Sequence, residues 1–133
     1  MDAATRNFVF QRAEARCEYC RMPQDATPLK TFHVEHIIAS QHLGSDEPDN
    51  LCLACDRCNG YKGPNLSSID PDTGIVMELF NPRLQVWADH FEFEGARIVG
   101  KTPIGRATLR LLQFNAPRRI ELRQAMLDEG KTL

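Results

Sequence analysis

The stretch Phe32–Gly63, FHVEHIIASQHLGSDEPDNLCLACDRCNGYKG, decides how the rest of the chain is read. It opens on Phe32–Ile38, whose aromatic and β-branched residues mark a strand. Gln41–Asn50 follows as a loop, with Gly44, Ser45, Asp46 and Pro48 supplying turn chemistry. Leu51–Ala54 makes a second short strand, and a helix from Asp56 or Arg57 to Lys62 is stopped by Gly63-Pro64. Cys55 and Cys58 flank the start of that helix, and thirty-four residues separate them from an earlier pair, Cys17 and Cys20. Two C-x-x-C turns each offer two soft sulfurs from one bend, which suits a closed tetrahedral zinc site formed by Cys17, Cys20, Cys55 and Cys58. Buried free thiols or a redox pair are the other readings of the same spacing. The gap between the pairs exceeds that of a common zinc ribbon and leaves room for an inserted strand and loop. Cys52, between Leu51 and Leu53, reads as a small buried apolar residue and not as a ligand.

Outside this stretch, 133 residues with 42% hydrophobic composition fit one domain able to build a core. The expected division is a single domain over residues 1–133, with a motif core at 17–63 and an extension at 64–133. No run of about eighteen apolar residues is present and the first residues lack a signal's apolar centre, so neither a membrane span nor secretion is indicated. A cytoplasmic protein is expected. Five cysteines cannot all pair within the chain, and a reduced compartment favours zinc over disulfides. The net charge of −2 argues against a broad electrostatic grip on nucleic acid. Charge is uneven, however: residues 101–133 carry seven basic and three acidic groups.

Along the chain, Ala3–Arg16 has helical composition, a cap at Asp2, and Phe8, Val9 and Ala13 for one buried face. Asp70–Gly74 is the clearest turn, and Ile75–Phe80 is expected to be extended. Trp87–Phe93 and Ala96–Val99 are expected to pair as a hairpin around Glu94-Gly95. Thr102-Pro103 caps a helix to about Phe114, and another runs from Pro117 to Asp128. The fold class is α+β, with an N-terminal helix before the core and a hairpin plus two helices after it.

The order Glu35-His36, Asn50, then Asn59 directly after the last cysteine, set between two zinc knuckles, resembles the HNH (ββα-metal) endonuclease family. The third position is asparagine here where the family name has histidine, an H-N-N variant. Asn65-Leu66, Asp70-Pro71 and Asn81-Pro82-Arg83 resemble small bacterial HNH proteins more loosely. The resemblance implies hydrolysis of DNA phosphodiester bonds, leaving a 5′-phosphate and a 3′-hydroxyl. Such hydrolysis needs a base for water and a cation for the charge on phosphate and leaving oxygen. His36 suits the base, since imidazole titrates near neutral pH, and Glu35 is a hard anionic ligand. Asn59 would add an amide oxygen, completing an all-oxygen sphere for Mg²⁺ or Mn²⁺. Phage junction-resolving nucleases of the family look similar here, pairing an acid and an asparagine around magnesium.

Adjacent strand residues face opposite sides, so Glu35 and His36 share a site only where the strand ends, twists or bulges, as the resemblance implies. It also implies that Asn50 holds its loop through backbone hydrogen bonds and thereby orients the histidine. His33, two residues before Glu35, would lie on its face, either in support of the site or as an ordinary packing residue. Lys62, on the helical face of Asn59, and Arg57 are candidate DNA contacts, as are Arg118 and Arg119 in the basic C-terminal segment. A solvated charged face is the plainer reading of each. Two other functions fit the same features: a zinc-dependent DNA-binding module that does not cleave, and a protein-interaction zinc domain.

Overall fold

In the computed structural model, which describes residues 1–133, Asp2 starts the first helix by accepting a hydrogen bond from the Thr5 amide at 2.7 Å. This helix, α1 (Ala3–Arg12), is four residues shorter than the sequence led us to expect. Glu14 and Ala15 both take left-handed backbone angles, φ 55° and 54°, and turn the chain so that Arg16 pairs with Pro23. Val9 and Ala13 are buried as expected, whereas Phe8 is about half exposed and stacks under the Arg12 guanidinium. That guanidinium also donates to the carbonyls of Pro48, at 3.0 Å, and Leu51, at 2.6 Å, pinning the end of the central loop.

The strands β1 (His33–His36) and β2 (Leu51–Ala54) pair antiparallel, His33 opposite Ala54 and His36 opposite Leu51. All four β2 residues are buried, so this strand is the centre of its unit, with Tyr19, Met22, Phe32 and Ile37 around it. Helix α2 (Asp56–Lys62) follows at once, its first turn capped by Cys55 Sγ accepting from the Cys58 amide at 3.4 Å. These elements form one compact unit, Met1–Pro64 together with Asn81–Leu84. The returning segment belongs there through Arg83, whose guanidinium pairs with the buried Glu18 carboxylate, while the other Glu18 oxygen accepts from the Leu53 amide at 2.8 Å.

The second unit comprises Asn65–Phe80 and Gln85–Leu133. It begins with an antiparallel hairpin, β3 (Ser67–Ile69) and β4 (Val76–Glu78), closed by the turn at Asp70–Gly74, where Gly74 has φ 73°. Residues expected in one long strand divide instead into a turn of helix, α3 (Trp87–His90), and strand β5 (Phe91–Glu94). The helical turn brings Trp87 against Phe91 and Phe93, at 5.1 and 5.2 Å between ring centroids, a packing that an extended 87–93 would not give. Strand β6 (Arg97–Gly100) returns across Gly95. Thr102 then caps α4 (Pro103–Leu111), and α5 (Pro117–Asp128) closes the chain. The fold is thus α+β, three small antiparallel sheets with five helices. No helix is long and apolar enough to cross a membrane.

Asp70 is the polar centre of the second unit. Fully buried, it accepts from Arg106 Nε and Nη2 at 3.0 and 2.9 Å and from the Asp72 amide and Thr73 hydroxyl. The Arg106 bonds foremost hold its carboxyl down at about 2. A carboxyl depressed below its unfolded value near 3.9 stabilises the fold above that value and ceases to as pH falls through about 2. Asp70→Asn should therefore unfold at lower denaturant than wild type at neutral pH, and the gap should shrink between about pH 4 and pH 2. Paired denaturant titrations across that range check it.

Much of the C-terminal basic excess is likewise internal, which corrects one expectation. Arg119 is buried, donating to the Leu112 carbonyl at 2.7 Å and the Gln113 carbonyl at 3.2 Å. Arg123, also buried, donates to Ala96 and Phe114 carbonyls at 2.6 Å each. These guanidinium groups satisfy carbonyls after the end of α4 and in the β5–β6 turn, and are not presented to a phosphate backbone. Arg118 is exposed.

Candidate active site and metal centre

The two C-x-x-C turns converge. The four sulfurs of Cys17, Cys20, Cys55 and Cys58 lie within 4.8 Å of one another, and Cys20 Sγ is 3.8 Å from Cys55 Sγ. Tetrahedral bonds of about 2.3 Å to zinc put sulfurs about 3.8 Å apart, so the cluster fits the ion. Amides of Cys20 and Cys58 point at Cys17 and Cys55 sulfurs, at 3.5 and 3.4 Å, as suits thiolates. Burial pushes the Cys17 and Cys58 thiols well above their ordinary range. A cation at the centre would stabilise converging sulfurs as thiolates. All four cysteines are buried, leaving no open position for a substrate. Cys52 stands apart, its thiol donating to the Tyr19 hydroxyl at 3.6 Å.

Strand β1 ends at His36, and the chain then bends into a short 3-10 turn at Ser40–His42. This ending resolves the difficulty of adjacent residues on one strand. Glu35, His36 and Asn59 all border one open cleft of about 480 Å³, with Ala39, Ser40, Gln41 and Gly63. Glu35 comes from the last paired stretch of β1 and Asn59 from the second turn of α2, so sheet register and helix capping together set their placement.

Glu35 is the electrostatically strained member. Its Oε2 is buried with no hydrogen-bond partner, and Oε1 lies 3.7 Å from Lys62 Nζ. Burial raises its carboxyl to about 7, opposed by the Lys62 charge. A buried carboxylate oxygen without a partner, on a residue that borders the same cleft as Asn59, is a fitting place for a hard divalent cation, which takes oxygen ligands.

Lys62 corrects a second expectation. Only 2% exposed, it donates to the carbonyls of Ile37, at 3.0 Å, and Gly63, at 3.4 Å, besides facing Glu35. It ties the end of β1 to the end of α2, and is not available to contact a phosphate. Arg57 is exposed on α2. His33 turns away from Glu35 to Asp56, at 3.2 Å, where it and Lys30 lower that carboxyl's pKa.

Asn50 lies at the root of the loop and binds it through four hydrogen bonds to three residues. Its side chain accepts from the Ile38 amide at 2.9 Å and donates to the Ile38 and Ser45 carbonyls at 2.9 and 2.7 Å; its amide donates to the Glu47 carbonyl at 2.9 Å. A side chain on Gly44 would collide with the Ile38 carbonyl, only 1.7 Å from the position its Cβ would take. Between the anchored Ser45 and Glu47 stands Asp46, whose Oδ1 is 2.7 Å from His36 Nε2. Sequence reasoning missed this contact, because one acid among several in an exposed loop gives no signal of its partner.

The family model for HNH endonuclease matches residues 17–65, which span both cysteine pairs, β1, the loop and α2. This stretch is therefore similar to an HNH endonuclease domain. Within the matched region the closed sulfur cluster and the oxygen-lined cleft are separate centres, joined by α2, which begins at the first and carries Asn59 to the second. No curated protein and no solved structure matches the chain.

Proposed function

We propose that the protein is a metal-dependent endonuclease that hydrolyses DNA phosphodiester bonds, with structural zinc on Cys17, Cys20, Cys55 and Cys58. The observation that carries the reading is the convergence of Glu35, His36 and Asn59 on one open cleft, with a buried Glu35 oxygen left unpaired. Glu35 and Asn59 would hold Mg²⁺ or Mn²⁺. When bound, that ion supplies charge stabilisation for the phosphate and for the departing oxygen. His36 takes the proton from the attacking water, and Asn50 keeps the loop beside it in place. Lys62, tied to Ile37 and Gly63 carbonyls, holds the two walls of the cleft at a fixed distance and places a positive charge behind Glu35. Arg57 and Arg118, both exposed, are available to phosphates.

Incubation of the zinc-loaded protein with supercoiled, linear and branched DNA tests this reading. We expect cleavage with Mg²⁺ or Mn²⁺ and none after chelation of the divalent ion at concentrations that spare the zinc. DNA binding without cleavage on every form and with either ion would replace the nuclease by a binding module.

A further inference from the structure

We infer that Asp46 is a positioning residue for His36: its carboxylate fixes the imidazole as the Nε2–H tautomer and leaves Nδ1 as the proton-accepting nitrogen. The inference rests on the nuclease reading above and adds to it a residue that the family motif does not contain. Three observations carry it. Asp46 Oδ1 and His36 Nε2 are 2.7 Å apart, the distance of a short, charge-assisted bond. An ionised carboxylate can only accept, so Nε2 must be the donor, and in a neutral ring Nδ1 is then unprotonated. Thirdly, the exposure of Asp46, 90% at the side chain, does not make the contact loose, because the backbone on both sides of it is tied to Asn50. Ser45 accepts from the Asn50 side chain and Glu47 from the Asn50 amide, so the loop presents Asp46 to His36 from a rigid base. Asn50 thereby acquires a definite part in the site, since it holds the backbone that carries the orienting acid.

The carboxylate at Nε2 holds the ring's orientation and tautomer, the part an orienting acid plays beside a catalytic histidine. No bond to Asp46 is made or broken and the proton stays on Nε2.

The test is direct because Asp46 is at the surface and its replacement leaves the core untouched. The ring nitrogens of His36 can be read by two-bond proton–nitrogen correlation in the full-length, zinc-loaded, nitrogen-15-labelled protein at mildly alkaline pH, its signals assigned by their loss in His36→Ala. The wild type should show the Nε2–H tautomer, and Asp46→Ala should move both nitrogen shifts towards those of an exchanging mixture. Cleavage by Asp46→Ala should fall about 10- to 100-fold in kcat, a share of the effect of the base, with KM for DNA and the Mg²⁺ requirement unchanged, and Asp46→Glu should recover part of the loss. An Nδ1–H tautomer in the wild type, or identical ring shifts in Asp46→Ala, overturns the inference whatever the activity. An Asp46-dependent Nε2–H tautomer in a wild-type protein that cuts no DNA sustains the dyad and removes the nuclease reading instead.

Discussion

His36→Ala should cut DNA about 10²- to 10⁴-fold more slowly than the wild type, with DNA affinity and divalent-ion affinity unchanged. The expectation follows from the division of labour in the cleft. His36 borders the same space as Glu35 and Asn59, but its Nε2 is engaged by Asp46, and the proposed arrangement gives it no part in holding an ion. Glu35→Gln and Asn59→Ala should fail in another way, by weakening the ion, so that raised Mg²⁺ or Mn²⁺ restores part of their activity and none of the activity of His36→Ala. Glu35→Gln keeps the size of the buried side chain, so its folding serves as the control for the lost charge. Single-turnover cleavage across a metal titration separates the two patterns. Wild-type rates in folded His36→Ala would remove the histidine from its role as base.

Loss of zinc should unfold the first unit altogether. The apparent binding free energy of a structural zinc site is on the order of 10 kcal/mol, as large as the whole stability of an ordinary domain. Here the four ligands close a loop that contains β1, β2 and the cleft, and they do so at the unit's buried centre. Cys17→Ser or Cys58→Ser should leave a protein with less than one zinc per chain and no cooperative melting of that unit. Elemental analysis together with circular dichroism, before and after strong chelation, checks the expectation; zinc-free protein with unaltered melting would refute it.

What could be read from the residues beforehand follows a physical line. The four-cysteine cluster was legible because thiolate chemistry restricts both residue type and spacing, and the four sulfurs do converge. β2, α2 and α5 lie where turn and cap residues bounded them. The end of α1 was not legible: the reversal there uses left-handed Glu14 and Ala15, residues that carry no such preference in sequence. Arg119 and Arg123 were hidden for a different reason. Helical spacing says that two residues share a face, but not whether that face meets solvent or, as here, orphaned carbonyls. Lys62 deceived in the same way. The convergence of Glu35 with His36 depended on where a strand stops, and the Asp46 contact on how a ten-residue loop folds back, both tertiary facts.

The return of Asn81–Leu84 to the first unit bears on portability. The matched region, residues 17–65, carries every zinc ligand and every cleft residue of the motif, and invites excision or grafting as a self-contained cassette. It omits Arg83. A fragment stopping there would keep Glu18 buried between two zinc-binding cysteines with its countercharge cut away, at a cost of about 3–5 kcal/mol. Any transplant of this cassette therefore needs either a donor in trans from a peptide containing Asn81–Leu84 or Glu18 replaced by a neutral residue, glutamine, that still accepts from the Leu53 amide.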